Sequence, residues 1–255
     1  MTLASLYLWN GQALYLGQSD TEMHRHHALI ISIGIDSTFK VKAGWQWKTY
    51  RAVITAASWP HRFDGRGGTQ VFVIMEPEME IARRLKRKFL GNKATAELDY
   101  TLLHPLVNEL ENISSPLTCA EARKLFDEII LALLDKDMPA HDMNPHVQGA
   151  LELIRELPIK KVSLKMIADS VYLSQSRFVT LFKENVGVPF RRYLMWQRLL
   201  EAVKQVTSGA SLTEAAHESG FADSAHLSRT FKQMFGMTMA EVFKNSQFVQ
   251  VNSCL

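Results

Sequence analysis

The C-terminal half of the chain contains one pattern twice, SLKMIADSVYLSQSRFVTLFKENVG at residues 163–187 and SLTEAAHESGFADSAHLSRTFKQMFG at residues 211–236. Each copy starts with a serine, which can cap a helix, and ends with a glycine, which suits the left-handed residue that follows many helices. Small alanines in the first half of each copy allow a second helix to cross closely. The pattern predicts two helix-turn-helix units.

The segment between the two copies predicts one long helix. Residues 190–207, FRRYLMWQRLLEAVKQVT, contain neither glycine nor proline and carry apolar residues at helical spacing. A helix of about 18 residues spans roughly 27 Å at about 1.5 Å per residue. With its flanking turns it would hold two recognition helices, at about residues 174–184 and 224–235, roughly 34 Å apart, which is one turn of B-form DNA. We therefore expect these helices to enter successive major grooves.

These residues carry a resemblance to a known family. The run GFADSAHLSRTFKQMFGMT at residues 220–238, together with residues 163–187, closely resembles the DNA-binding domain of AraC/XylS bacterial transcription regulators. The resemblance covers about residues 144–243 and implies an all-α domain of two helix-turn-helix units. It also implies an N-terminal effector or dimerisation domain, often a cupin-like barrel followed by helices. The function implied is that of a transcription factor, either an activator or a repressor.

The recognition helices predict which side chains face DNA. Their apolar anchors point inward, so the neighbouring positions near each N-terminus point outward, and the resemblance places base contacts there. Arg229 is the best candidate for a two-bond contact with guanine, followed by Arg177. Other cations suit phosphates, which position a protein without reading sequence. The predicted base-contacting residues are Ser176, Arg177, Val179, Thr180, Ala225, His226, Ser228 and Arg229, and the predicted phosphate-contacting residues are Lys183, Arg191, Arg192 and Lys232.

Charge and composition agree with a DNA partner. The chain has 255 residues and a net charge of +3, and residues 146–255 hold 13 Lys and Arg against 9 Asp and Glu. By itself this charge is a weak sign of a polyanion partner. The family resemblance implies double-stranded DNA and RNA polymerase as partners. The two cysteines, Cys119 and Cys254, give no disulfide framework, and the sequence shows neither a basic leader nor a run of about 18 apolar residues. We expect a cytoplasmic protein with no membrane contact.

The N-terminal half has the composition of strands and tight turns. Eight of the 13 glycines lie at or before Gly91, and Leu29, Ile31, Ile33 and Ile35 alternate with other residues. Residues 3–75 thus predict several strands that close as a small barrel or sandwich, and residues 77–136 predict helices. The expected fold class is α+β, with a cupin-like β-barrel and helices at residues 1–136, a linker at 137–145, the DNA-binding domain at 146–245 and a tail without an assigned role at 246–255.

A helix predicted at residues 118–134 carries an apolar stripe that must be buried. Its apolar residues recur at spacings of three and four, which places them on one face. The stripe packs either on the barrel of the same chain or against a second copy in a homodimer, and the sequence leaves both alternatives open. The stripe consists of Ala122, Leu125, Phe126, Ile129, Ile130 and Leu133.

One candidate ligand site lies in the N-terminal half. His24 and His26 lie two residues apart, on one face of a strand, and His61 lies in a later strand. These resemble the metal-ligand histidines of cupin enzymes, but Ile30 and Ile31 stand where those enzymes usually add a glutamate. We therefore expect structural or effector-contacting histidines, no cofactor and no enzymatic activity. The predicted effector pocket, for an unidentified small molecule, consists of His24, His26, Trp45, Trp47, Trp59 and His61.

Two alternatives to this expectation stay open. The three histidines could hold a sensory Zn²⁺ or Fe²⁺ ion, since three imidazoles leave an open coordination position. From a different class of protein, the chain could be a metal-dependent cupin-type enzyme with a helical appendage.

Overall fold

The computed structural model describes residues 4–35, 37–112, 115–134, 143–236, 238–239 and 249–254. The chain divides into two compact units, residues 1–140 with 235–255 and residues 141–234. Of the predicted linker at 137–145, residues 137–142 lie outside the described residues. Within the described ranges, no helix is both long enough and apolar enough to cross a membrane.

The first unit contains two β-sheets. Seven strands form one sheet in the order β10-β1-β2-β8-β3-β6-β9, and three form another in the order β5-β4-β7. In the described part of the chain both sheets are open, so the predicted closed barrel is replaced by two packed open sheets, within the predicted α+β class. The strands are β1 (Ala4–Trp9), β2 (Gln12–Gly17), β3 (Leu29–Gly34), β4 (Phe39–Lys42), β5 (Trp47–Tyr50), β6 (Ala52–Thr55), β7 (Arg62–Asp64), β8 (Gln70–Met75), β9 (Thr95–Glu97) and β10 (Val249–Ser253).

Both faces of the seven-stranded sheet are covered, which explains why the sheet need not close to bury its apolar residues. On one face, Phe39 and Phe63 of the smaller sheet pack against Val53 and Phe72. On the other face lie α1 (Glu80–Leu85), which continues as a helical turn to Leu90, α2 (Tyr100–Val107) and α3 (Cys119–Leu133). The first unit is therefore a three-layer structure of small sheet, large sheet and helices.

Helix α3 settles the two alternatives for the apolar stripe at residues 118–134. Thr118 and Glu121 form a capping box at its start. All six residues of the stripe are buried, and they belong to the same core cluster as the large sheet. The stripe therefore packs on its own chain, and it is not available for the homodimer that was the other alternative.

The tail is part of the first unit, which the sequence did not predict. Strand β10 pairs in parallel with β1, with Ala4 opposite Val249. The backbone N–H of Cys254 donates to the carbonyl of Leu8 at 3.0 Å, and Cys254 is disulfide-bonded to Cys119 at the start of α3. The expectation that the two cysteines give no disulfide framework is therefore wrong. Strand pairing brings together two residues that no local spacing connects.

The second unit is built from helices. The predicted connector, residues 190–207, is confirmed as α7, and the predicted recognition helices are confirmed as α6 and α9 within two residues at each end. Serine caps occur as expected, with Ser163, Ser174 and Ser211 each accepting a backbone N–H bond. The helices are α4 (Pro145–Glu156), α5 (Leu164–Ser170), α6 (Gln175–Val186), α7 (Phe190–Thr207), α8 (Leu212–Glu218) and α9 (Ser224–Phe235).

The turns of the two helix-turn-helix units share one backbone geometry. Leu173 donates to the carbonyl of Ala168 at 2.9 Å in the first unit, and Phe221 donates to the carbonyl of Ala216 at 2.9 Å in the second. Both bonds close a helix around a residue in the left-handed region, which is Gly220 (φ 81°) in the second turn and Tyr172 (φ 58°) in the first. Because only glycine adopts this region without steric cost, Tyr172 is strained.

We expect the substitution Tyr172→Gly to raise the free energy of unfolding by about 0.5–1 kcal/mol. Glycine removes the steric cost of the left-handed backbone, and part of the gain is offset by the greater freedom of glycine in the unfolded chain. Urea unfolding of the full chain measures the change. The matched control is Tyr172→Ala, which removes the same side chain, 92% exposed, but keeps the strained backbone. Equal stabilisation by both substitutions would contradict the explanation.

Candidate functional site

An aromatic cluster attaches the first recognition helix to the connector. The ring of Phe190 lies 5.2 Å from that of Phe178 and 5.2 Å from that of Phe182, and the rings of Phe182 and Tyr193 are 5.3 Å apart. Each of these side chains is at most 1% exposed. Edge-to-face and tilted packing at these distances is favourable beyond the burial of apolar area. The cluster therefore fixes α6 to the N-terminal half of α7.

The second helix-turn-helix unit packs on the same connector. Ala215 and Ala216 of α8 are fully buried, as are the anchors Leu227 and, nearly, Phe231 of α9. Arg198 of α7 donates to the carbonyl of Gly220 in the turn, at 3.3 Å. Helix α7 therefore contacts α6 directly, and it contacts the second helix-turn-helix unit through α8 and the turn at Gly220.

The outer face of α6 carries the predicted base-contacting residues of the first helix-turn-helix unit. Ser176, Arg177 and Thr180 are exposed, and Val179 is half-buried. The Thr180 hydroxyl donates to the carbonyl of Ser176 at 3.1 Å. Within the described part of the chain, Arg177 forms no ion pair. Arg177 is therefore the one long hydrogen-bond donor among these four residues.

The outer face of α9 carries the predicted base-contacting residues of the second helix-turn-helix unit. Ala225 and Arg229 are exposed, whereas His226 and Ser228 are half-buried. The His226 ring packs edge-on against Phe221 at 5.3 Å, and the Ser228 hydroxyl donates to the carbonyl of Ser224 at 2.8 Å. Arg229 has no ion-pair partner among the described residues, so its guanidinium is available to a ligand. The packing of His226 gives that residue a structural contact that its position in the sequence did not indicate.

The predicted phosphate-contacting residues also lie on the surface of the second unit. Lys183, Arg191 and Lys232 are exposed, and Arg192 is half-buried. They lie at the C-terminal part of each recognition helix and at the start of α7. This surface therefore offers cations on the same unit as Arg177 and Arg229, a combination that suits contacts with both phosphates and bases.

Three histidines of the first unit form a buried cluster. His24 and His61 pair through two backbone hydrogen bonds of 2.9 and 3.0 Å. Their rings are 4.3 Å apart, and the ring of His26 lies 4.5 Å from His61 and 5.5 Å from His24. The three residues are 4–7% exposed. The three histidines were predicted from the sequence as one candidate ligand site, and they lie together in the structure.

The protonation of this cluster follows from its burial. Burial lowers the pKa of His24, and burial together with the nearby His24 lowers the pKa of His61 to about 4. The pKa of His26 is lowered well below its usual value, first by burial and then by His61 and His24. All three rings are therefore neutral at pH 7. This arrangement places three neutral imidazoles side by side in the core.

The three tryptophans predicted to line the effector pocket lie on the surface instead. Trp45 is 96% exposed, and Trp47 and Trp59 are exposed as well. Trp45 lies in the turn between β4 and β5, and Trp47 starts the edge strand β5 of the smaller sheet, so neither side chain reaches an interior. The structure therefore brings the histidines of the predicted pocket together and leaves the three tryptophan side chains exposed, although the backbone carbonyl of Trp59 contacts the His61 ring.

His27 and Glu78 form a buried polar pair that the sequence did not indicate. Nε2 of His27 lies 3.7 Å from Oε2 of Glu78, and both side chains are almost fully buried. The histidine follows the cluster directly in the run HRHH, but its partner is distant in the sequence and follows β8. Only the fold shows the pairing.

Comparisons with known proteins agree with this geometry. Residues 167–245 match the family model described as a helix-turn-helix domain. The chain is 25% identical over 192 residues to the probable transcriptional regulator LumQ of Photobacterium leiognathi, a match that covers 70% of this chain and 73% of LumQ. It is 29% identical over 143 residues to the transcriptional activator RhaS of Escherichia fergusonii, a match that covers 54% of this chain and 51% of RhaS. The chain thus spans about half the length of RhaS.

The fold resembles that of ToxT from Vibrio cholerae O395. The TM-score is 0.57 at 15% sequence identity, and the likeness covers 92% of this chain and 97% of ToxT. ToxT has also been solved with a bound unsaturated fatty acid. At this identity the likeness concerns the fold, and it agrees with a β-rich N-terminal part followed by helices.

We expect the substitution Arg229→Ala to reduce the preference for the best DNA site over a variant of that site without the contacted guanine. The loss is about 1–3 kcal/mol, or roughly 5- to 150-fold, because a two-bond contact to guanine disappears. The substitution Lys232→Ala should weaken binding to all duplexes alike and lower the slope of log K against log salt by about 0.9. Mobility shifts on specific and random duplexes measure both effects. If the two variants weaken specific and random binding to the same extent, these assignments are wrong.

Proposed function

We propose that this protein, whose C-terminal domain is a helix-turn-helix domain of the AraC type, is a sequence-specific transcription regulator that binds double-stranded DNA through α6 and α9. The observation that carries the proposal is the repeated geometry at the two ends of α7. Each helix-turn-helix unit joined by α7 has a recognition helix with buried anchors, an exposed arginine in its N-terminal half and an exposed lysine in its C-terminal half.

The length of the connector supports binding to successive grooves. Helix α7 has 18 residues, which corresponds to about 27 Å of rise. Because α7 joins the two helix-turn-helix units, the connector and its flanking turns would give the recognition helices a separation of roughly one duplex turn. The protein is then able to contact one face of the DNA with a single chain.

We further propose that the first unit controls this activity through an effector, and that the regulator acts together with RNA polymerase in the bacterial cytoplasm, where the chromosome lies. The likeness to ToxT supports a fold that has accommodated a ligand in another protein. The buried histidine cluster is the candidate effector site in this chain, since it gathers polar groups in an otherwise apolar core.

The competing proposal of a cupin-type metalloenzyme has less support. In cupin enzymes a glutamate usually joins the histidines, but here Ile31, at one of the two corresponding positions, is fully buried in the apolar core. Its side chain provides no metal ligand or proton-transferring group. The matched relatives are transcription regulators, which favours DNA binding over catalysis.

Footprinting tests the proposed binding mode. Genomic fragments selected by the purified full chain should show two protected windows on one face of the DNA, with centres about 10–10.5 base pairs apart. The double variant Arg177→Ala/Arg229→Ala should lose this pattern because both long donors are removed. The matched control is Lys124→Ala, which removes an exposed cation of α3 in the other unit. Metal-dependent turnover without any DNA protection would favour the enzyme, and protection of only one groove would contradict the two-helix binding mode.

A further inference from the structure

We propose that His24, His26 and His61 bind one divalent transition metal ion of the Zn²⁺ or Fe²⁺ type. The sequence predicts structural or effector-contacting histidines, because no carboxylate follows at the position usual in cupin enzymes. The structure adds the geometry of the three rings, and this geometry is what carries the proposal. The inference concerns metal binding by the first unit, and it holds or fails independently of DNA binding.

The ring nitrogens are close enough to share one ion. One nitrogen from each histidine can be chosen so that all three lie within 4.8 Å of one another. A tetrahedral ion with metal–nitrogen bonds of about 2.1 Å holds its ligand nitrogens about 3.4 Å apart. Binding therefore requires the nitrogens to approach by about 1.4 Å at most.

Two of the rings are already oriented as metal ligands are. Nδ1 of His24 lies 2.9 Å from the carbonyl oxygen of Glu22, and Nδ1 of His61 lies 3.0 Å from that of Trp59. A carbonyl only accepts hydrogen bonds, so Nδ1 carries the proton in both rings and Nε2 keeps a free lone pair. Metal-binding histidines commonly donate their other N–H to a carbonyl in this way, which fixes the tautomer and the orientation of the ring.

The third ring has polar atoms that the described protein does not satisfy. Both nitrogens of His26 are buried, and neither has a hydrogen-bond partner of normal geometry among the described residues. The residue itself is 4% exposed. Buried polar groups are nearly always paired, so an imidazole without a hydrogen bond of normal geometry, beside two that have one, suits a metal ligand. A metal ion shared by the three rings would satisfy one of these nitrogens.

The donor set determines which ions fit. The group of metal-ligand side chains found in the described residues consists of three histidines and no carboxylate. Imidazole nitrogen suits Zn²⁺, Fe²⁺ and similar ions, whereas Mg²⁺ and Ca²⁺ require oxygen ligands. Three protein ligands also leave a fourth position open for water or for a small molecule.

The test uses the purified full chain. The protein is treated with a chelator, incubated with Zn²⁺ in the presence of excess Mg²⁺, separated from free metal and analysed for metal content. We expect one Zn²⁺ per chain and no retained Mg²⁺. X-ray absorption at the zinc edge of the same wild-type sample should show a first shell that includes three imidazole nitrogens. This measurement does not depend on whether any variant folds.

Variants locate the site. The substitution His61→Ala should weaken Zn²⁺ binding by more than about 100-fold, because the loss of a ligand exceeds the loss of an outer hydrogen-bond partner. The matched control is His104→Ala, which removes an exposed histidine of α2 and should leave binding unchanged. The proposal is overturned if wild-type protein retains no zinc, if the absorption spectrum lacks the imidazole shell, or if both variants bind zinc equally well.

Discussion

The arrangement of the DNA-binding unit depends on the contact between the aromatic rings of Phe178 and Phe182 and those of Phe190 and Tyr193. These rings lock one recognition helix onto the start of α7. Because a helix is stiff over this length, the position of α6 on α7 affects the distance and the rotation between α6 and the second helix-turn-helix unit. A change in this core would therefore alter the match to DNA without touching any residue that contacts it.

The two helix-turn-helix units are alike in backbone but unequal in chemistry. Their turns close with the same hydrogen bond, yet one uses glycine and the other a strained tyrosine. On the outer face of α6, the hydroxyl of Thr180 is already bonded to its own helix, and the same holds for Ser228 on α9. Each recognition helix thus has one arginine, Arg177 or Arg229, among its predicted base-contacting residues. In the proposed binding mode, specificity at the remaining positions would depend on short side chains and on the shape of the groove.

Local signals were sufficient to predict the second unit. Serine caps, terminal glycines and the spacing of anchors act over a few residues, so the bounds of α6, α7 and α9 followed from the sequence. The first unit depends on contacts between distant residues. No local pattern showed that the sheets stay open, that α3 packs on its own chain, or that Cys119 meets Cys254. The histidines were recognisable as a set, but the hydrogen bonds that orient His24 and His61 come from loop carbonyls, which the sequence does not position. The surface location of Trp45 likewise depends on how the turn before β5 projects.

The pairing of β10 with β1 makes the DNA-binding unit an insertion within the first unit. The chain leaves the first unit after α3 and returns to it through β10, where a disulfide at Cys254 joins it to the start of that same helix. In the large sheet β10 is the edge strand, and β1 lies between β10 and β2. A cut made just after the recognition helices would therefore also remove a strand and a covalent crosslink from the β-rich part of the chain.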